Sequence, residues 1–210
     1  MLKLNNCRVI DLSIEVKATY EKESDRPYII TESLLQDGLY KHDVVTHSHV
    51  GTHVELPRHY YREGKTLENY PMDKFYGPGV LVDLKQEYIT VEYMEELTKG
   101  KDLKDRIVLF RNSYSTTKQP ILPVETSKWL VEKGVSIIGF EDGPGAINIG
   151  PTNEIGNQNH DILLKNDILL IEFIKGLDQI KKDEFLVFAL PLKITKVDSI
   201  GIRLIAVEDI

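Results

Sequence analysis

Three histidines and a glutamate follow the order H-x-x-x-H-x-E-x-x-x-H at His49, His53, Glu55 and His59. Imidazole nitrogens and carboxylate oxygens are the donors that divalent transition metals take in proteins. The pattern is not the helical zinc-protease motif, in which both histidines lie on one helix and the glutamate directly follows the first. Gly51 lies between the pair and Pro57 follows it, and both work against helix. A strand running into a loop fits better. In extended chain, residues two apart share a face, which groups His47 with His49 and His53 with Glu55. Gly51 would supply the bend that brings the two pairs together.

The chain has six histidines, and His42, His47, His49, His53 and His59 fall within 18 residues. An even spread would put about 0.5 in such a window. A single histidine is usually a surface group or a hydrogen-bonded core group. Three at this spacing, with an interleaved carboxylate, favour a metal site over a solvated patch. His42 reads as a surface residue and His47 as a supporting one. The sixth, His160, opens the short helical stretch NHDILLK. Beyond it Glu172 stands in DILLIEF, flanked by Leu170, Ile171 and Phe173. Glutamate is rarely buried unless it is paired or holds a metal. Glu172 therefore either meets a cation or faces solvent on an edge strand.

The elements that would position these groups can be read coarsely. Strands are expected at Arg8–Ser13, Lys41–His49, Gly79–Leu84, Arg106–Arg111, Val135–Glu141, Ile168–Phe173, Glu184–Leu190 and Ile200–Val207. Helices are expected at Thr90–Lys99, capped by Thr90, at Val124–Lys133, closed by Gly134, and at Asn157–Lys165. Ile14–Tyr40 reads as a long loop or arm, and Val50–Tyr61 and Asp142–Gly156 as irregular. Strand–helix–strand alternation beside consecutive strands indicates an α/β fold built on a mixed sheet. No linker divides the 210 residues, so residues 1–210 are expected to form a single domain.

Composition excludes several classes. A net charge of −7 disfavours nucleic acid as a partner. No apolar run approaches the roughly 18 residues of a membrane helix, and the N-terminal stretch lacks a secretory pattern. The single cysteine, Cys7, suits a reducing compartment. A cytoplasmic protein without a membrane partner is expected. There is no phosphate loop and no G-x-S-x-G elbow, and Cys7 lies in an expected strand, so serine and cysteine nucleophiles have little support.

His49-Val-Gly-Thr-His53-Val-Glu55-Leu-Pro57-Arg-His59 resembles the motif H-x-G-T-H-x-D-x-P-x-H of the metal-dependent cyclase/hydrolase family that includes bacterial kynurenine formamidase and isatin hydrolase. Asp11–Ser13 (DLS), the segment from His160 to Glu172, and the tail from Asp198 through Arg203 resemble further family segments. The resemblance implies a swivelling β/β/α domain assembled as a homodimer or larger. It also implies a first metal on His49, His53 and Glu55, and a second completed by His160 and bridged by Glu55 and Glu172. Zinc would be the leading metal and manganese the other, with one or two ions per chain. His59 would donate and accept protons.

Two positions depart from the family pattern. Glu55 replaces the family's aspartate. The stretch after Ser13 lacks the usual histidine and Pro-rich run, leaving Tyr20 and Tyr28 as possible substrate-facing aromatics. The implied activity is cleavage of a carbon–nitrogen amide bond in a small molecule by metal-activated water, as in the hydrolysis of N-formylkynurenine to kynurenine and formate in tryptophan catabolism. The alternatives are an isatin hydrolase-like or other lactam-opening enzyme or cyclase, and a metal-binding protein without catalysis.

Overall fold

The computed structural model describes residues 6–17, 28–36, 38–143, 146–149, 154–183 and 185–209. Tyr20 lies outside the described residues. Ten strands and three α-helices are present among those described. Strands β5 (Tyr76–Leu84), β6 (Ile107–Asn112), β7 (Ile137–Glu141) and β8 (Leu169–Ile174) run parallel. Helices α1 (Val91–Leu97), α2 (Val124–Glu132) and α3 (Glu154–Lys165) form their crossovers. The remaining sheet strands pair antiparallel: β1 (Cys7–Asp11), β4 (His53–Glu55), β9 (Phe185–Pro191) and β10 (Ser199–Asp209). The sheet order is β1-β10-β4-β8-β7-β6-β5-β9, and β9 also pairs with β10, which closes the sheet into a barrel. The fold is thus α/β with a mixed sheet.

Period-two alternation in the parallel strands builds two cores. Ile107, Leu109, Ile137, Leu169 and Ile171 point into the barrel with Val54, Val187 and Leu204. Val108, Phe110, Ile138 and Leu170 point outward under the helices, against Met94, Trp129, Leu130 and Leu163. With both faces covered, these strands read as continuous apolar runs. The helix boundaries follow local chemistry. Thr90 Oγ1 accepts the Tyr93 N–H at the start of α1, and Gly134 adopts φ +68° just past α2, a conformation cheap only for glycine. Among the described residues no helix is long and apolar enough to cross a membrane.

Two expectations are corrected. Ile14–Tyr40 is not all loop, because β2 (Tyr28–Leu34) pairs along its whole length with β3 (Tyr40–Thr46) as a hairpin outside the main sheet. Standing outside the main sheet, β2 is at most half-buried and β3 is exposed throughout, which hides β2 from a burial-based reading. Val50–Tyr61 is not irregular throughout, because His53–Glu55 is a fully buried strand between β10 and β8. A 3-10 turn over Pro57–His59 then starts with proline, whose missing N–H costs nothing there.

Candidate metal centre

Strand β4 carries His53 and Glu55 on one face and is short, buried and central. Each neighbour brings a functional residue alongside. In the β4–β8 ladder His53 stands opposite Glu172, and in the β4–β10 ladder Glu55 stands opposite Ser199. Glu172 therefore lies in an interior strand and the edge-strand alternative does not apply. Between the pairs Gly139↔Ile171 and Glu141↔Ile174, β8 has one more residue than β7. Phe173 at this bulge adopts φ +59°, a left-handed conformation costly for a non-glycine residue. Thr52 Oγ1 donates to Phe173 O at 2.6 Å and holds the bulge in place. Bulges of this kind re-aim side chains next to functional sites.

Gly51 makes the bend expected of it, with φ +71°. Behind it His49 and His53 meet, with His49 Nδ1 and His53 Nε2 3.2 Å apart. Glu55 Oε1 is 3.1 Å from His49 Nδ1, 3.8 Å from His53 Nε2 and 3.6 Å from His59 Nε2. Glu55 Oε2 faces His160 Nε2 at 3.6 Å, and Glu172 Oε2 lies 3.7 Å from His53 Nε2. All six residues singled out in the sequence, His49, His53, Glu55, His59, His160 and Glu172, thus converge on one place. Potential ligand atoms of His49, Glu55 and His59 lie within 4.8 Å of one another, as do those of His53, Glu55 and Glu172.

The other two histidines lie apart from this cluster. His42 is exposed on the hairpin, with Nε2 3.3 Å from the opposing Glu32. His47 Nδ1 accepts the backbone N–H of His49 at 3.1 Å, so it supports the turn and not the cluster itself.

Hydrogen bonding gives the cluster its electronic character. His53 Nδ1 donates to Gly51 O at 2.8 Å, which leaves a lone pair on Nε2. His49 Nε2 donates to Asp198 Oδ2 at 2.9 Å, leaving a lone pair on Nδ1. Two lone pairs thus face each other beside a buried carboxylate whose Oε2 makes no hydrogen bond among the described residues. With its rings neutral, such a cluster turns acceptors toward its centre and is suited to hold a cation. Burial alone would raise the Glu55 pKa, but His160, His49 and His53 and the charge of His59 hold it well below the usual carboxylate range. Burial pulls His49 down, yet Glu55 and Asp198 outweigh it and its pKa is raised. The donor set, the ionised carboxylate and the outward N–H partners all suit a divalent metal.

Asp198 is the site residue that pattern reading missed. It also accepts His59 Nδ1 at 3.1 Å and Ser48 Oγ at 3.0 Å. Burial would push it up, but His49, His59 and Ser48 bring its pKa down to about 2. Its only sequence signal was its place at the start of the tail segment that resembles the family.

Two aromatic features border the cluster. Tyr60 stacks on His160 with ring centroids 6.3 Å apart and planes within 15°. A cleft of about 270 Å³ opens beside Glu172 and Phe173, lined further by Phe140, Ile147, Gln119 and Asn148.

A barrel-closing mixed sheet with a histidine–carboxylate cluster at its centre defines the class. The Cyclase family pattern covers residues 10–143, and the chain belongs to that family. Among its relatives, the kynurenine formamidase of Salinibacter ruber is 29% identical over 164 residues, 74% of each chain. That of Bacillus cytotoxicus is 26% identical over 195 residues, 90% of each. The fold is shared with isatin hydrolase A from Labrenzia aggregata, at a TM-score of 0.76 and 19% identity over 97% of this chain and 94% of that one.

Proposed function

We propose that this chain is a metal-dependent hydrolase that opens a carbon–nitrogen amide bond in a small aromatic substrate, with N-formylkynurenine the leading candidate. The observation that carries this reading is the buried cluster of His49, His53 and Glu55 facing His59. Membership of the Cyclase family and the formamidase relatives support it.

His49, His53 and Glu55 would hold one divalent ion, and Glu55, Glu172 and His160 a second. Zinc is the leading ion and manganese the other. When bound, such an ion acts as a Lewis acid that eases ionisation of water and polarises a carbonyl. The chain's own groups do the rest. Glu55 presents one oxygen to His49 and the other to His160, which suits it to join two ions. The His59 side chain is 34% exposed, and its Nε2 lies 3.6 Å from Glu55 Oε1. It would take a proton from the attacking water and return it to the leaving amine. The mixed cleft beside Glu172, with Phe140, Ile147 and Phe173 in its lining, would take the aromatic ring. Residues 1–210 would act as one domain, in a cytoplasmic homodimer or larger assembly.

The test is metal content and turnover on a single preparation, with N-formylkynurenine, isatin and simple lactones as substrates. Bound transition metal and EDTA-sensitive cleavage of N-formylkynurenine are expected. Preferential opening of isatin would move the substrate to a lactam. Metal without turnover on any amide would favour a non-catalytic metal-binding protein. Turnover unaffected by EDTA in a metal-free preparation would overturn the metal-dependent reading.

A further inference from the structure

We propose that Asp198 is a positioning residue that sets the tautomers of His49 and His59 together, aiming one lone pair of each at Glu55. The proposal deepens the hydrolase reading and rests on it for its effect on turnover. Its geometry stands independently.

The backbone delivers Asp198 to this place. Ser199 is the register partner of Glu55, and Leu56 N–H donates to Asp198 O at 3.0 Å. The residue after β4's glutamate-bearing end and the one before β10 are therefore tied together. Ser48 Oγ donates to Asp198 Oδ1, and Ser199 Oγ in turn donates to Ser48 O at 3.3 Å. With Oδ1 engaged, Oδ2 is left to the two imidazoles, at 2.9 Å from His49 Nε2 and 3.1 Å from His59 Nδ1.

An ionised carboxylate only accepts hydrogen bonds. Each imidazole must therefore place its proton on the nitrogen facing Asp198. The opposite nitrogens, His49 Nδ1 and His59 Nε2, then carry lone pairs and stand 3.1 and 3.6 Å from the same oxygen, Glu55 Oε1. The consequence is greatest for His59. A neutral imidazole in water prefers its proton on Nε2, the reverse of what Asp198 imposes. Without Asp198, His59 would point an N–H at the cluster and could not take a proton there. For His49 the preferred tautomer is already the one required, so Asp198 chiefly holds the ring in place, as carboxylates do behind metal-bound histidines.

The test begins on metal-free protein carrying nitrogen-15 histidine, at about pH 9, above the ordinary histidine range. Two-bond proton–nitrogen spectra, assigned with His59→Ala, should show His59 protonated on Nδ1 in the wild type and on Nε2 in Asp198→Ala. Asp198→Asn keeps one acceptor oxygen and should retain the wild-type pattern. If Asp198→Ala does not fold, Asp198→Ser, too short to reach both rings, replaces it. With metal saturating, Asp198→Ala should lower kcat about 100-fold with little change in KM, Asp198→Asn should recover most of it, and Asp198→Ala should cost nothing further in a His59→Ala background. Metal affinity should fall about 10- to 100-fold. An unchanged His59 tautomer in Asp198→Ala overturns the proposal, whether or not any amide is hydrolysed. Wild-type kcat at saturating metal in that variant overturns it as well. If no amide is cleaved by the wild type, the hydrolase reading fails, and the tautomer spectra still decide the role of Asp198.

Discussion

His53 and Glu172 stand directly opposite each other in the β4–β8 ladder, with Nε2 3.7 Å from Oε2. Opposed residues on antiparallel strands have Cβ atoms about 4.5–5.5 Å apart. Backbone register, not side-chain reach, thus brings these two groups together. The ladder to β10 does the same for Glu55 and the residue after Asp198. A centre built on three neighbouring strands is preorganised for a cation.

Preorganisation makes metal binding visible as stability. A ligand that binds only the folded state at 100 times its Kd adds about 2.7 kcal/mol. Adding zinc or manganese to EDTA-stripped protein should raise the unfolding temperature, and Glu55→Gln should abolish the rise. Calorimetric scans with and without metal check this. An equal rise in Glu55→Gln would place the ion elsewhere.

His59 should prove separable from metal binding. In His59→Ala, bound metal should be retained while kcat falls by about two to four orders of magnitude, the usual contribution of general acid–base catalysis. Elemental analysis beside steady-state kinetics measures both. Because His59 also lies within ligand distance of His49 and Glu55, loss of metal along with activity would make it a ligand.

Gly51 should not tolerate a side chain. A Cβ there would clash with Val16 Cγ2, at φ +71°. The left-handed backbone alone costs roughly 1–2 kcal/mol in a non-glycine residue. Gly51 O also orients His53 through its Nδ1. Gly51→Ala should lower the urea midpoint and weaken metal binding. A midpoint and an affinity both equal to wild type would show that the turn relaxes freely.

The pH dependence of folding should include a contribution from Asp83. Burial would raise its pKa, but Arg111 Nε at 2.8 Å and Ser113 Oγ lower it. A depressed carboxylate stabilises the fold fully above its unfolded value near 4, and that stability is lost as pH falls through the lower folded value. Asp83→Asn should therefore cost about 1–2 kcal/mol at pH 7 and progressively less in acid. Urea denaturation of both proteins at neutral and acid pH measures the difference, and a cost that does not shrink in acid would count against the pair.

Much of the arrangement is legible in the sequence. The apolar runs at Arg106–Arg111, Val135–Glu141 and Ile168–Phe173 identify buried strands because parallel strands are covered on both faces. Thr90 and Gly134 mark helix ends through local chemistry. The strand expected at Lys41–His49 is present as β3, but its partner β2 is not legible, since the hairpin lies outside the main sheet and buries neither strand fully.

The sequence by itself determined which chemistry the chain carries: a spaced set of histidines and glutamates, with a glycine where the chain must bend. Residue type and short spacing are local properties, and they survive in one dimension. Only the tertiary structure decided that β8 is interior, that a bulge at Phe173 accompanies Glu172 at the cluster, and that Asp198 holds two histidines from 149 and 139 positions away. Those relations depend on strand order and register, which are fixed by long-range pairing and have no local signal.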